Sequence, residues 1–288
     1  MQTILVPTDF SEEAGHALNL ATDLAKKSNS KIILFHIVES PIHVYNSYLG
    51  NIAGNKLIEQ DKQQEAYVAA MLVIATRQLE ETAQKVEGVE VDTYIQVGHF
   101  YKNIAETITS KEVDLIVMGS QGASSLEEEY VGSNTDKVIR FAKCPVISVK
   151  QAVSLADIQQ VALPLTLVGD EPAHLIKAVA DFQKLTDAHL HLVRVNHLGS
   201  VLPHRVIHTR MEKLAKTYQI ENYTTHIYSE DDVETGILHF AEDNQMDMIM
   251  MGTHSRTGLA RVLSRKASIA EDVATHTKLL VWTYTLYL

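Results

Sequence analysis

The sequence has very little cysteine and no long apolar run, and both shortages limit what the protein can be. Cys144 is the single cysteine among 288 residues, so no disulfide can form within the chain and a reducing compartment is expected. No stretch of about 18 apolar residues occurs, so neither a membrane-spanning helix nor a membrane partner is expected. The opening residues MQTILVPTDF become polar too early for a signal peptide. These features together predict a cytoplasmic protein.

Basic residues are also scarce. Lys and Arg number 25 against 36 Asp and Glu, and the resulting formal net charge of −11 argues against a nucleic-acid partner. The negative net charge does not exclude a small anionic ligand, because backbone N–H groups hold phosphate without any net positive charge. The sequence contains no G-x4-G-K-[S/T], no G-x-S-x-G and no paired set of catalytic carboxylates. No catalytic residue is therefore assigned, and an enzyme is disfavoured.

Apolar runs and helical periodicity alternate along the first half of the chain. Strands are predicted at 4–6, 31–39, 89–97, 113–119 and 145–150. Helices are predicted at 11–27, 65–86, 100–112 and near 134–143, with an amphipathic lid or packing helix within 41–64. This order is typical of an α/β fold, in which an open parallel sheet carries helices on both faces.

The second half repeats the first. VALPLTL at 161–167 corresponds to ILVPTDF, and HLHLVRVN at 189–196 corresponds to KIILFHIV. The glycine segment and the last strand have counterparts in MDMIMMGTHSRTGLARVLSRKAS and TKLLVWTY. A correspondence that extends over five strands indicates two tandem modules. We predict domains at 1–150 and 157–288, joined by a polar linker near 151–157.

The segment MGSQGASSLEEEYVGSNTD at 118–136 is the main candidate for a ligand site. Gly119, Gly122 and Gly132 follow a buried strand and lead into a helix, whose free N–H groups favour an anion. Ligands of parallel α/β sheets bind at the carboxyl ends of the strands, and Asp9 lies at that same edge. The alternative is that the glycines only turn the chain, and the glutamates at 127–129 would repel a polyphosphate.

These residues resemble the universal stress protein family. The resemblance rests on VPTDFSEEAGHAL, LFHIVE, VMGSQG and CPVISVK, and most specifically on the signature G-x2-G-x9-G-[S/T], which ends at Ser133. It covers nearly the whole chain and implies two tandem open parallel five-stranded sheets flanked by helices, similar to the adenine-nucleotide alpha hydrolases. It also implies that PVISVK and KLLVWTYTLY pair within one chain, as an intramolecular pseudo-dimer. A homodimer through other faces stays open.

The resemblance further implies an adenine nucleotide ligand, with ATP expected and ADP or AMP as alternatives. The residues implied near the base are Pro7, Thr8, Asp9 and Ile37. The residues implied along the sugar and phosphates are Met118, Gly119, Ser120, Gln121, Gly122, Gly132, Ser133, Asn134 and Thr135. A triphosphate often brings Mg²⁺, but no residue in the sequence is a convincing dedicated metal ligand.

The second module departs from this pattern. Ser255 and Arg265 stand where the first module has its second and third glycines, and Lys266 replaces the serine that follows. Thr166 stands in place of the aspartate, and of the three glycines only Gly252 is retained. Both the backbone freedom of the loop and the carboxylate acceptor are lost. The second module is therefore predicted not to bind ATP.

Two classes of function remain. The first is an ATP-binding universal stress protein, a regulatory module of the stress response with at most slow ATP hydrolysis. The second is an interaction protein that uses the same fold without nucleotide. The complete glycine loop of the first module favours the first class. His204 and His208 have the i, i+4 spacing of a zinc pair, but no HExxH or carboxylate partner frames them, so a surface position is favoured.

Overall fold

The computed structural model describes residues 1–39, 56–120, 134–255 and 268–287. Its strands are β1 (Thr3–Pro7), β2 (Lys31–Val38), β3 (Val91–Val97), β4 (Leu115–Gly119), β5 (Val146–Val149), β6 (Gln160–Pro164), β7 (His189–Asn196), β8 (Tyr223–Ser229), β9 (Met248–Ser255) and β10 (Leu280–Tyr287). Its helices are α1 (Glu12–Ser28), α2 (Lys56–Ala83), α3 (Phe100–Ser110), α4 (Asn134–Phe141), α5 (Ala173–Thr186), α6 (His204–Tyr218), α7 (Val233–Asp243) and α8 (Ile269–His276). In this part of the chain no helix is long and apolar enough to cross a membrane.

The strands form one sheet in the order β3-β2-β1-β4-β5-β10-β9-β6-β7-β8. Strands β1 to β5 are parallel to one another, and so are β6 to β10. Each half therefore has the doubly wound order in which the chain starts in the middle and moves first to one edge and then to the other. The predicted α/β class, with a parallel sheet flanked by helices, is confirmed.

Both faces of the sheet are buried, as continuous apolar strands require. Ile4 and Val6 point into one core, and Leu5 between them points into the other. The first core is covered by α1, α2, α5 and α6, and the second by α3, α4, α7 and α8. The period of two along each strand thus divides the apolar residues between two layers of helices.

Helix α1 begins where its sequence predicts. The Ser11 hydroxyl accepts the Ala14 N–H at 3.3 Å, and Glu12 and Glu13 lie in the first turn. The helix ends at Asn29, which adopts a left-handed conformation with φ of 53°. These capping interactions fix the start of α1 directly after β1, at the carboxyl edge of the sheet.

The two halves meet through their last strands. Strands β5 and β10 pair antiparallel, with Trp282 opposite Ile147, so the sheet continues from one repeat into the other. The Arg140 guanidinium of α4 contacts the Glu271 carboxylate of α8 at 2.6 Å. The Lys150 ammonium donates to the carbonyl oxygens of two threonines at the end of α8. The pairing of the two terminal strands is present, and behaviour as an intramolecular pseudo-dimer stays a prediction.

One helix differs from the sequence prediction, and the predicted linker contains local structure. Helix α2 begins at Lys56, nine residues before the predicted start, because no proline or glycine interrupts the sequence from Lys56 to Ala83. Within the predicted polar linker near 151–157, the structure adds a 3-10 turn at Leu155–Asp157, with a capping box between Ser154 and Asp157. The Leu155 N–H also donates to the Asp23 carboxylate on α1, which holds the linker against the first repeat. The predicted lid within 41–64 lies largely outside the described residues.

Candidate functional site

A cleft of about 420 Å³ opens at the carboxyl edge of the first repeat, beside the ends of β1, β2 and β4. The first residues of α1 and α4 close its sides. The sheet order places β1 between β2 and β4, so the chain builds the sheet outward from β1 on one side with β2 and β3 and on the other side with β4 and β5. A crevice at this switch point is where open α/β sheets bind ligands, and the volume lies within the range of small-molecule sites, about 300–1,000 Å³.

Nine of the residues predicted from the sequence line this one cleft. They are Pro7, Thr8, Asp9, Ile37, Met118, Gly119, Ser120, Asn134 and Thr135. Four further predicted residues lie outside the described part of the chain, namely Gln121, Gly122, Gly132 and Ser133. The structure therefore brings together the residues implied near the base with the described residues implied near the sugar and phosphates.

A tight turn after β1 presents the Asp9 carboxylate at the rim of the cleft. Asp9 Oδ1 accepts the Ser11 N–H at 3.0 Å, and Thr8 Oγ1 accepts the Phe10 N–H at 3.0 Å. Phe10 has a φ of 66°, a left-handed conformation that turns the chain from the strand into α1. Burial raises the pKa of the Asp9 carboxyl, but hydrogen bonds from Ser11 and the local backbone, with the nearby His36, lower it below its ordinary value overall. Asp9 is thus an ionised acceptor at neutral pH.

His36 supports this turn from the neighbouring strand. Its Nδ1 lies 2.7 Å from the Thr8 carbonyl oxygen, and because that oxygen only accepts, Nδ1 carries a proton. The His36 ring packs on Phe10 with 4.7 Å between the ring centroids. His36 lies near the end of β2 and lines the cleft, which the sequence analysis did not predict.

Gly119 ends β4 where no side chain could fit. A Cβ atom at this position would lie 2.6 Å from the Ala14 nitrogen and 2.6 Å from the Glu13 carbonyl carbon. The Thr135 hydroxyl donates to the Gly119 carbonyl at 3.2 Å, and Thr135 is buried. Gly119 therefore allows β4 to approach the start of α1, and Thr135 ties the start of α4 to the same strand end.

The cleft also has walls that the sequence analysis missed. They are Ser11, Glu13, Ala14, Phe35, His36, Glu39 and Phe100. Most of these could have been found, because the start of α1 and the end of β2 must lie at the same edge as Asp9. Phe100 gave no such signal, since it is the first residue of α3 and reaches the cleft only through the crossover that follows β3.

The corresponding edge of the second repeat is occupied by its own side chains. Arg194 lies on β7 at the position that His36 has on β2, as the strand registers show. Arg194 is buried, and it donates to the Thr166 carbonyl at 2.6 Å and to the Ser200 hydroxyl at 2.7 Å. Glu171 Oε1 accepts the N–H groups of Thr166 and Leu167 at 2.7 and 2.8 Å. Protein groups thus occupy the polar positions after β6.

The turn itself is retained in both repeats. Leu167 has a φ of 51° and follows β6 at the same distance as Phe10 follows β1. The backbone path at this edge is therefore shared, whereas the side chains differ. Of the predicted changes in the glycine loop of the second repeat, Ser255 is the last residue of β9, and Arg265 and Lys266 lie outside the described part of the chain.

One histidine of the candidate zinc pair, His208, has a hydrogen-bond partner on a neighbouring strand. His208 Nδ1 lies 2.9 Å from the Thr225 hydroxyl, across from α6 to β8. Within the described ranges, no group of three or more His, Cys, Asp or Glu is arranged to hold a metal ion. Cys144 is buried, and burial raises the pKa of its thiol to about 12.

The comparisons with known proteins identify the family. The sequence profile of the universal stress protein family matches residues 1–150 and again residues 148–284. The chain belongs to the universal stress protein family. Universal stress protein MJ0577 of Methanocaldococcus jannaschii is 30% identical over 154 residues, which are 51% of this chain and 94% of that protein. Universal stress protein YxiE of Bacillus subtilis is 28% identical over 147 residues, which are 51% of this chain and 97% of that protein.

A solved structure resembles the chain over both repeats. A universal stress protein from Archaeoglobus fulgidus superposes with a TM-score of 0.73 and 22% identity, covering 98% of each chain. The likeness at this identity establishes the fold. The single-repeat relatives and this two-repeat neighbour agree with the tandem match of the family profile.

Proposed function

We propose that the first repeat binds an adenine nucleotide in the cleft at the ends of β1, β2 and β4, and that the second repeat does not. The observation that carries the proposal is the convergence of nine predicted residues on one cleft in the first repeat. Membership of the universal stress protein family supports it, because the implied nucleotide residues of that family fall on these positions. We assign the protein a regulatory role in the stress response, with at most slow ATP hydrolysis.

The chemistry of the cleft fits such a ligand. Asp9 is an ionised acceptor for a ribose hydroxyl or a base amino group, and the end of β4 approaches the backbone of α1 too closely for any side chain. Helix α4 starts at the cleft, so its first N–H groups favour the negative charge of a phosphate. ATP is the expected ligand, with ADP and AMP as alternatives. Mg²⁺ would arrive with the triphosphate, held mainly by the phosphate oxygens.

The occupied edge of the second repeat supports the proposal that this repeat binds no nucleotide. Arg194 and Glu171 already bond the backbone and hydroxyl groups that follow β6, so a ligand that used these groups would have to displace both side chains. Breaking charged hydrogen bonds costs about 1.5–3 kcal/mol each, which is a large fraction of the affinity of a typical nucleotide site. We therefore expect one nucleotide per chain and propose the domain limits 1–150 and 157–288.

Calorimetric titration of the nucleotide-stripped protein with Mg-ATP tests this proposal. One site per chain is expected in the wild type. Asp9→Ala should weaken binding about tenfold to a hundredfold, the equivalent of one or two charged hydrogen bonds. Gly132→Arg, which copies the second repeat, should abolish it. Thr166→Ala is the matched control, because Thr166 holds the place of Asp9 in the second repeat, and it should leave binding unchanged.

Three other outcomes of the titration would each contradict a different part of the proposal. Two equivalent sites per chain would refute the silence of the second repeat. Saturable binding that neither Asp9→Ala nor Gly132→Arg affects would refute the cleft as the site. Absence of any heat with ATP, ADP and AMP would overturn nucleotide binding and favour the interaction protein that uses the same fold without nucleotide.

A further inference from the structure

Three histidines meet at the edge of the sheet in the second repeat. His189 and His191 lie on β7, and His226 lies on β8, the last strand in the sheet order. His191 Nδ1 is 3.0 Å from His226 Nε2. The Thr224 hydroxyl lies between the rings, 3.0 Å from His226 Nε2 and 3.1 Å from His189 Nε2. We call these three histidines with Thr224 the histidine cluster.

Hydrogen bonds at the outer nitrogens fix the protons of two rings. His189 Nδ1 lies 2.6 Å from Asn222 Oδ1, and His191 Nε2 lies 2.7 Å from Gln160 Oε1. Amide oxygens only accept, so both of these ring nitrogens carry a proton. In the neutral rings, His189 Nε2 and His191 Nδ1 then present lone pairs toward the cluster. The Thr224 hydroxyl can donate to the first, and His226 Nε2–H can donate to the second.

With all three rings neutral, this assignment satisfies every bond of the cluster, with His191 Nδ1 as an acceptor. A proton added to His191 at Nδ1 would direct its N–H toward the N–H of His226, across a separation of 3.0 Å. His226 Nε2 could accept a hydrogen bond from this N–H only if the proton of the neutral His226 ring lay on Nδ1 instead. A second added proton would place two like charges on neighbouring strands with ring nitrogens 3.0 Å apart, and their repulsion would weaken this contact.

The surroundings offer no compensating negative charge. Gln160 of β6 and Phe240 of α7 face the rings, the latter with 5.1 Å between its centroid and that of His226. The nearby carboxylates have other partners, since Asp243 accepts the Tyr228 hydroxyl and Asp247 accepts the N–H groups of residues 159 and 160. In the described part of the chain, no carboxylate hydrogen-bonds to any of the three rings.

We propose that the histidine cluster is an acid-sensitive latch, which holds the edge strand β8 on β7 at neutral pH and releases it on acidification. The latch joins the two strands through side chains, in addition to their backbone ladder from Leu190–Tyr223 to Asn196–Ser229. An edge strand has one neighbour only, so it opens more readily than the strands inside the sheet. Nothing in this inference depends on the proposed nucleotide site.

The direction of the pKa shifts agrees with this geometry. Burial lowers the pKa of His191 to about 4, with further lowering by His226 and His189, and burial and His189 lower the pKa of His226. The unfolded chain takes up these protons near the ordinary histidine pKa of about 6.5. The cluster therefore contributes its full stability above that pH and loses it progressively as the pH falls toward 4. His239 beside Glu230 has the opposite sign, because hydrogen bonding to Glu230 raises its pKa.

The first repeat supplies a matched control. Strand β3 is the opposite edge of the same sheet, and the strand registers place Ile33 at the position of His191 and Tyr94 at that of His226. Neither residue is a histidine. The double substitution His191→Ile, His226→Tyr thus copies residues that this fold already accommodates, while it removes the two titrating groups.

Hydrogen exchange of the backbone amides over pH 7.5 to 4.5 tests the latch in the full-length protein. Protection factors, corrected for the intrinsic exchange rates, are compared between β8 and β3. Below pH ~6.5, the opening constant of β8 should rise about tenfold per pH unit for each linked proton, whereas that of β3 should not. The double variant should show the same flat profile in both strands.

A wild-type β8 that loses protection no faster than β3 would overturn the proposal, and so would an undiminished pH dependence in the double variant. Titration of the imidazole C–H resonances of the wild type gives an independent measurement that needs no substitution. Two rings should titrate well below the ordinary histidine range, and the β8 amide resonances should shift together with them. Titration of all three rings near pH 6.5 would refute the latch.

Discussion

The two repeats contain a direct test of how closely β4 must approach α1. Gly119 and Gly252 occupy equivalent positions near the ends of β4 and β9, but their surroundings differ. A Cβ atom on Gly119 would meet backbone atoms of Glu13 and Ala14 at 2.6 Å, about 0.8 Å short of ordinary contact. A Cβ atom on Gly252 would meet the ends of the Leu175 and Leu286 side chains at 2.9 and 3.1 Å. Backbone cannot rotate away as a side-chain end can.

Substitution of each glycine by alanine should therefore have unequal costs. Added core atoms cost about 1–3 kcal/mol, and we expect Gly119→Ala near the upper limit because β4 and α1 must separate. Gly252→Ala should cost about 1 kcal/mol or less, since leucine rotamers can adjust. Any gain from a less flexible unfolded chain is the same in both variants and cancels in the comparison. The expected difference in the free energy of unfolding is about 1–2 kcal/mol, to the disadvantage of Gly119→Ala.

Urea denaturation followed by tryptophan fluorescence and far-ultraviolet circular dichroism measures this difference. Trp282 is the single tryptophan and is buried in β10 beside β5, so its emission reports on the junction of the two repeats. With a slope of about 2–3 kcal/mol per molar urea, the two midpoints should differ by roughly 0.5 M. Equal midpoints, or a lower midpoint for Gly252→Ala, would refute the argument from backbone contact.

Three further predictions follow from the contacts between and within the repeats. Arg140→Ala should destabilise the protein by about 1–3 kcal/mol, because it leaves the buried Glu271 carboxylate without its ion-pair partner. The control is Arg77→Ala at the exposed Arg77–Glu81 pair, which should change the denaturation midpoint little. Lys150→Met should raise hydrogen exchange at the end of α8, because the carbonyl groups of Thr275 and Thr277 lose their donor. Cys144 should resist thiol-specific reagents at pH 8 in the folded protein and react in denaturant, since its thiol is buried with a pKa of about 12; rapid labelling of the folded protein would contradict this.

The sequence was sufficient to predict the parts of the cleft that lie within one strand and its following turn. Continuous apolar runs predicted β1, β2 and β4, and the rule that parallel strands end at one edge brought Asp9, Ile37 and Gly119 together. Helical periodicity predicted α1 directly after β1. These features depend on local sequence and on a general rule of topology, so no knowledge of side-chain packing was required.

The remaining parts depend on contacts between distant segments. Arg194 gave no signal, because an arginine in an apolar strand was as compatible with an outer position as with the buried one that it adopts. Its role depends on Thr166 and Ser200, which lie 28 and 6 residues away in the chain. The histidine cluster likewise depends on the register of β7 with β8, which the sequence alone does not fix.

The contacts of α4 connect the second repeat to the cleft of the first. The first residues of α4, Asn134 and Thr135, form one wall of the cleft. The other end of the same helix is held by the second repeat, through Arg140 with Glu271 and through the Ile139 carbonyl, which accepts the Thr285 hydroxyl at 2.6 Å. A helix of eight residues held at both ends has little freedom to tilt. The second repeat therefore supports a wall of the cleft in the first, through contacts that are independent of any ligand.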